Sequence, residues 1–214
     1  SPIDMTEALQ GALDFFVRGG FFMLLLLLLS IVAGTVIFLR GFALRESLIM
    51  PPDVESAVDG LQPGDSLQRV TIMAQRSNSP LGRIISVCLR HLNWPRQENV
   101  EAVQVRARHE VVRMEGGMAV LEMTTGLAPL LGLLGTLSGL VSVFDNLGGG
   151  TGAGDPIAVA RGISEALNTT IVGLAVAAPS LVAHNYFQRK IETMAVSMEG
   201  VVADLLAKCY PEQR

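Results

Sequence analysis

Residues 129–144, PLLGLLGTLSGLVSVF, and 163–187, ISEALNTTIVGLAVAAPSLVAHNYF, decide the fold. Both are apolar, both are long enough for several helical turns, and both are dotted with Gly, Ala, Ser and Thr. Read back to Thr125, the first carries Thr125, Ala128, Gly132, Gly135, Gly139 and Ser142 at spacings of three and four. One helical face is therefore almost without bulk, and Gly135 and Gly139 on it form a GxxxG pair. The second repeats the device with Gly162, Ala166, Thr169, Gly173, Ala177 and Ser180. Small residues let helix backbones approach, which is where packing energy comes from when lipid supplies no hydrophobic drive. Gly132, Gly135, Gly139, Gly162, Gly173 and Ala177 are the expected packing residues.

The rest of the composition agrees with a lipid solvent. Half of the 214 residues are hydrophobic and only 17% are charged. Three apolar runs, Phe21 to Leu39, Met118 to Phe144 and Ile163 to Phe187, can each cross the roughly 30 Å hydrocarbon layer as a helix. The first, with FFMLLLLL at 21–28, has no polar face to offer water. A secretory signal peptide would have a basic front, whereas Asp4, Glu7 and Asp14 precede this run and Arg40 and Arg45 follow it, so it reads as a retained span. Of the 16 Lys and Arg, ten lie between Arg40 and Arg113 and four after Tyr186. By the positive-inside rule the N-terminus and the Gly-rich loop lie outside, and the long loop and tail are cytoplasmic.

These readings divide the chain into an extracytoplasmic interfacial helix (1–18), a first span (19–40), a cytoplasmic helical region (41–117), a second span (118–145), a periplasmic loop (146–157), a third span (158–187) and a cytoplasmic tail (188–214). Within 41–117, Pro51, Pro52, Gly60, Pro63, Gly64, Pro80, Gly82 and Pro95 cut the chain into short helices, and no period-2 alternation suggests a sheet. From about Arg96 the apolar stripe Val100, Val103, Ala107, Val111, Met114, Met118, Leu121 runs into the second span. One long helix is expected there, with Gly116-Gly117 as its weak point. The tail to Leu206 looks like a matching extension of the third span. The expected fold class is an all-α membrane protein whose second and third spans extend into a cytoplasmic helical stalk.

A chain with three spans cannot enclose a conduit alone, so an oligomeric ring sharing these two helices is expected. Counted from the loop, Thr136 lies ten residues inside one end and Thr170 thirteen inside the other, a depth difference of only about 5 Å. Glu165 sits above both, and Thr169 shares its face. A carboxylate inside a membrane is costly unless paired or wet, which makes Glu165 a functional candidate; the plainer reading pairs it with Arg161. A membrane Thr often does no more than satisfy a carbonyl of its own helix.

The motifs APLLGLLGT at 128–136, GISEALNTT at 162–170 and GLAVAAP at 173–179, with Ser79-Pro80-Leu81-Gly82 and Asn185-Tyr186-Phe187, resemble the ExbB/TolQ/MotA family of ion-driven motor subunits, closest to its three-span ExbB/TolQ branch. The resemblance implies an inner-membrane channel subunit, typically pentameric, around the single spans of an ExbD- or TolR-like partner. That partner supplies a titrating aspartate, and the complex uses the proton motive force to energise TonB- or TolA-type proteins. It also implies that Thr136 and Thr170 line the ion pathway with Glu165 near its outer end. Asn168 stands where the family motif usually has an apolar or small residue, and its amide oxygen suits sodium as an alternative ion. The remaining alternative is a non-conducting scaffold that gathers partner helices.

Other chemistries find no support. The glycines at 148–154 lack the lysine and following Ser/Thr of a phosphate-binding loop. His91, His109 and His184 have no ligand spacing, no catalytic triad can be assembled, and neither cofactor nor metal is expected. Cys88 and Cys209 fall on the cytoplasmic side and receive no role. Trp94 before Pro95 reads as a packing anchor. The basic residues of 41–117 are interleaved with acids, which suits a solvated face or anionic lipid rather than nucleic acid.

Overall fold

The computed structural model describes residues 20–148 and 156–210. In chain order its helices are α1 (Gly20–Ala43), α2 (Glu46–Ile49), α3 (Pro52–Asp59), α4 (Gln68–Ser77), α5 (Pro80–Arg90), α6 (Arg96–Met114), α7 (Met118–Gly148) and α8 (Pro156–Cys209). Among the described residues there is no strand. The interfacial helix expected at 1–18, most of the glycine loop at 148–154 and the last four residues of the tail lie outside the described residues.

Three helices are long and apolar enough to cross a membrane: Gly20–Ala43, Met118–Asp145 and, within α8, Val159–Cys209. The chain is a multi-pass membrane protein. At 1.5 Å per residue, the 54 residues of α8 extend about 80 Å, well beyond a hydrocarbon layer of about 30 Å, so this helix continues past its span. The chain divides into two compact units: residues up to 38 with 118–184, and 39–117 with 185 onward.

The first unit is built on small residues. Leu26 of α1, Ala128 of α7 and Ala177 of α8 form its buried cluster, with Leu29, Leu131, Val172 and Val176 packed around them. A Cβ on Gly173 would lie 2.6 Å from the Ala128 carbonyl oxygen and 3.1 Å from the Gly132 Cα, and one on Gly132 would lie 3.0 Å from the Thr169 carbonyl oxygen. α7 and α8 thus touch backbone to backbone where both chains are bare. Many of the bulky residues point away: Leu24, Leu28, Ile31, Leu130, Leu134, Leu137, Ile171 and Leu174 are all exposed. That arrangement suits lipid, which solvates leucine at no cost.

The second unit follows the opposite rule. Leu81, Ile84, Ile85 and Cys88 of α5 are buried with Ile191, Met194, Met198, Val202 and Leu205 of α8, whose three- and four-residue spacing makes one inward stripe. α4 packs on α5, and α5 on α6. The breakers act as local chemistry requires: Pro52 occupies the first turn of α3, the left-handed Asn78 (φ 44°) ends α4, and the Ser79 hydroxyl accepts from the Gly82 amide at 3.0 Å to cap α5. Lys208 near the end of α8 donates to the Val58 and Asp59 carbonyls at 2.9 and 3.1 Å, and Tyr210 accepts from the Asn99 side chain at 3.1 Å.

One expectation is corrected. α6 and α7 are separate helices rather than one, because α6 ends at Met114 and Gly117 takes a φ of +78°, a left-handed conformation that glycine adopts without strain. Arg40 donates to the freed Met114 carbonyl at 3.4 Å across this break.

Candidate functional site

The polar groups of the first unit meet where α7 and α8 approach. Thr136 falls one turn after Gly132, so its hydroxyl can reach back to the Gly132 carbonyl (3.2 Å), but the bare α8 backbone opposite also lets it donate to the Ala166 carbonyl at 2.9 Å. Its Oγ1 lies 2.5 Å from that of Thr170, which in turn reaches the Gly132 carbonyl at 3.2 Å. Two hydroxyls own two protons between them and face each other plus two carbonyls. The protons can therefore be arranged in more than one way without moving a heavy atom. Such a pair can orient or relay a proton but cannot store one, since an aliphatic hydroxyl does not titrate in the physiological range.

Next to this pair, reached through Gly135, Ala166 and Thr169 but without Thr136 or Thr170 in its wall, is a cavity of about 380 Å³, also lined by Ser138, Gly139 and Ser142 of α7, Glu165 of α8 and Phe22 of α1, among others. It is roomy and polar enough to hold several waters. Glu165 is half-buried in its wall, whereas Thr169 is 2% exposed and Thr136 is 8% exposed. Arg161 is exposed, and the ion pairs found among the described residues all belong to the second unit, none of them joining Arg161 to Glu165. Asn168 is half-buried and is not part of the cavity wall.

The structure therefore brings Thr136 and Thr170 into direct contact, sets Glu165 and Thr169 on one cavity, and leaves Asn168 aside. The packing set is engaged within the chain: a Cβ on Gly135 would meet the Thr169 side chain, on Gly139 the Ala166 Cβ (2.7 Å), and on Gly162 the Val143 side chain. Ser138 is the cavity residue that sequence reading missed. Its signal was available, since it precedes Ser142 by one turn and follows Gly135 by three residues on the same side of α7.

No group of three or more His, Cys, Asp or Glu side chains among the described residues is placed to hold a metal ion. Burial, with Cys209 adding to it, pushes the Cys88 thiol up to about 12, which makes it inert as a nucleophile.

The chain's similarities bear on this geometry. A family model described as the MotA/TolQ/ExbB proton channel family matches residues 76–200, a stretch that includes α7 and most of α8. The chain is 38% identical over 180 residues to a putative biopolymer transport protein, ExbB-like 1, of Synechocystis, covering 83% of this chain and 70% of that protein. It is 29% identical to a putative ExbB homolog of Methanothermobacter thermautotrophicus, over 91% of this chain and 75% of the other. It is 28% identical to the biopolymer transport protein ExbB of Neisseria meningitidis, over 83% and 86%.

Proposed function

Because the chain belongs to the MotA/TolQ/ExbB proton channel family, and is a membrane subunit of biopolymer transport rather than an enzyme, we propose that its Thr136–Thr170 pair and the adjoining cavity are its share of the proton pathway. In this reading Thr136 and Thr170 pass or orient the proton, and Glu165 and Thr169 hold water at the outer end. The single observation that carries it is the hydroxyl pair between α7 and α8 next to a polar cavity, in a unit whose buried apolar cluster is Leu26, Ala128 and Ala177. Neither Thr can hold charge, and in this reading the group that takes up and releases the proton belongs to another chain, as the family resemblance implies. That chain is an ExbD- or TolR-like protein whose single span carries an aspartate.

Several copies of the protein, five in the arrangement typical of the family, form a ring in the inner membrane around that span. The N-terminus is periplasmic and the C-terminus cytoplasmic, and the continuation of α8 contributes to a cytoplasmic helical stalk. The complex energises a TonB- or TolA-like protein. The polar interior supports a conducting role over a passive scaffold, which needs close packing but no hydroxyls.

Thr170→Val keeps the side-chain shape and removes the hydroxyl. In cells carrying the partner chains, energy-dependent uptake across the outer membrane is expected to fall at least tenfold, while Thr170→Ser retains most of it. Full uptake in Thr170→Val, with the complex assembled normally, would falsify the assignment.

A further inference from the structure

The second unit contains a basic cavity that proton conduction does not use. Three consecutive helices face it in register: Thr71, Gln75 and Asn78 from α4, Arg83, Ser86 and Arg90 from α5, and Arg106 from α6, around a volume of about 540 Å³. No acidic side chain and no aromatic ring is part of its wall.

The charge in this wall is only partly balanced. Glu110, fully buried behind it, accepts two bonds from Arg83 at 2.9 and 2.6 Å and one from Arg106 at 2.6 Å, with Arg113 at 3.9 Å. Burial alone would raise its carboxyl, but the Arg83 bonds and the surrounding guanidinium charges outweigh that and hold it below the usual glutamate range. One carboxylate thus serves the two guanidiniums that reach the cavity from α5 and α6, and Arg90 adds a third positive charge to the same wall. Arg106 Nε is buried and has no hydrogen-bond partner. The wall therefore carries more guanidinium charge than its one carboxylate balances, which favours an anionic ligand.

We propose that this cavity binds a phosphate group. Guanidiniums match phosphate oxygens in charge and geometry, and Arg90 with the Gln75 amide supplies the donors, since the Thr71 and Ser86 hydroxyls already donate to the Leu67 and Gly82 carbonyls at 2.9 and 2.7 Å and the Arg83 fork is held by Glu110. The absence of an aromatic wall removes the stacking surface a nucleobase would use, so recognition rests on the phosphate itself. That phosphate can be carried by a soluble ester or by a lipid headgroup.

Arg90 is the residue to change, because it lines the cavity without touching Glu110, whereas losing Arg83 would strand a buried carboxylate. With the full chain in detergent at low salt, inorganic pyrophosphate binding is measured by calorimetry, and bound phospholipid is measured by mass spectrometry of protein extracted from vesicles of phosphatidylglycerol and phosphatidylcholine. A soluble ligand gives pyrophosphate binding that weakens roughly tenfold or more in Arg90→Ala and not in Arg69→Ala, which changes an exposed arginine of α4 outside the cavity wall. A lipid ligand gives little pyrophosphate binding but retained phosphatidylglycerol that drops by a similar factor in Arg90→Ala only. Either result supports the proposal. If neither probe binds wild type, or if Arg90→Ala and Arg69→Ala behave alike in both arms, the cavity is not a phosphate site.

Discussion

The two units hold their helices together by opposite means. In the first, Ala128, Ala166, Ala177, Thr136 and Thr169 are inside and most of the leucines, Leu26 and Leu121 excepted, are outside; in the second, Leu81, Ile84, Ile85, Ile191 and Leu205 are inside and a carboxylate is buried only with guanidiniums on it. The difference is one of solvent. Water rewards hiding bulk, at about 25 cal/mol for each Å² of apolar surface, whereas lipid rewards only close contact and the satisfaction of polar groups. A hydroxyl pair or a cavity inside the first unit is therefore a candidate for function, while the same groups at a watery surface would not be.

The comparison breaks if the two units respond alike to a change in bulk. Ile85→Ala is expected to destabilise the protein by about 2–5 kcal/mol, because a fully buried side chain leaves a cavity. Gly173→Ala, which removes nothing, is expected to cost about 1–3 kcal/mol by pushing its methyl against the Ala128 carbonyl. Thermal unfolding followed by circular dichroism in detergent measures both. A neutral Gly173→Ala would mean that α7 and α8 do not meet as closely as described.

A smaller effect sharpens the electrostatic half. The Glu110 carboxyl titrates below its unfolded value of about 4.3, so its contribution is present above that pH and lost as pH falls through the lower folded value. Wild-type stability should therefore decline in acid more steeply than that of Glu110→Gln, and acid melts of the two should converge. Parallel curves would show that the Glu110 ion pairs contribute nothing to the pH dependence. The smallest expected effect concerns Asn168: replacing sodium by potassium should leave transport within about twofold, since this amide stands outside the cavity wall. A sodium requirement would move Asn168 into the pathway.

Much of this was legible in the chain. Spans follow from uninterrupted apolar length, helix ends in the second unit from proline and glycine, and the similar depths of Thr136 and Thr170 from counting residues inward from the loop. Periodicity gives a face but not what it faces. The stripe around Gly132 and Gly173 could be read as close packing, yet only the structure shows that these two meet within one chain. Glu110 escaped notice because its main partner, Arg83, is 27 residues away, although Arg106 and Arg113 at one-turn spacing were a local hint. Helix propensity makes Gly116-Gly117 a weak point, but propensity alone does not say that the helix breaks there.

Proton flux into liposomes containing the assembled complex tests the central claim most directly. With Thr136 and Thr170 both changed to Val, flux driven by an imposed pH gradient should fall to the protein-free level while the complex keeps its size and helicity. Undiminished flux through that intact double variant would contradict the account, because the proton would then be passing somewhere other than the paired hydroxyls.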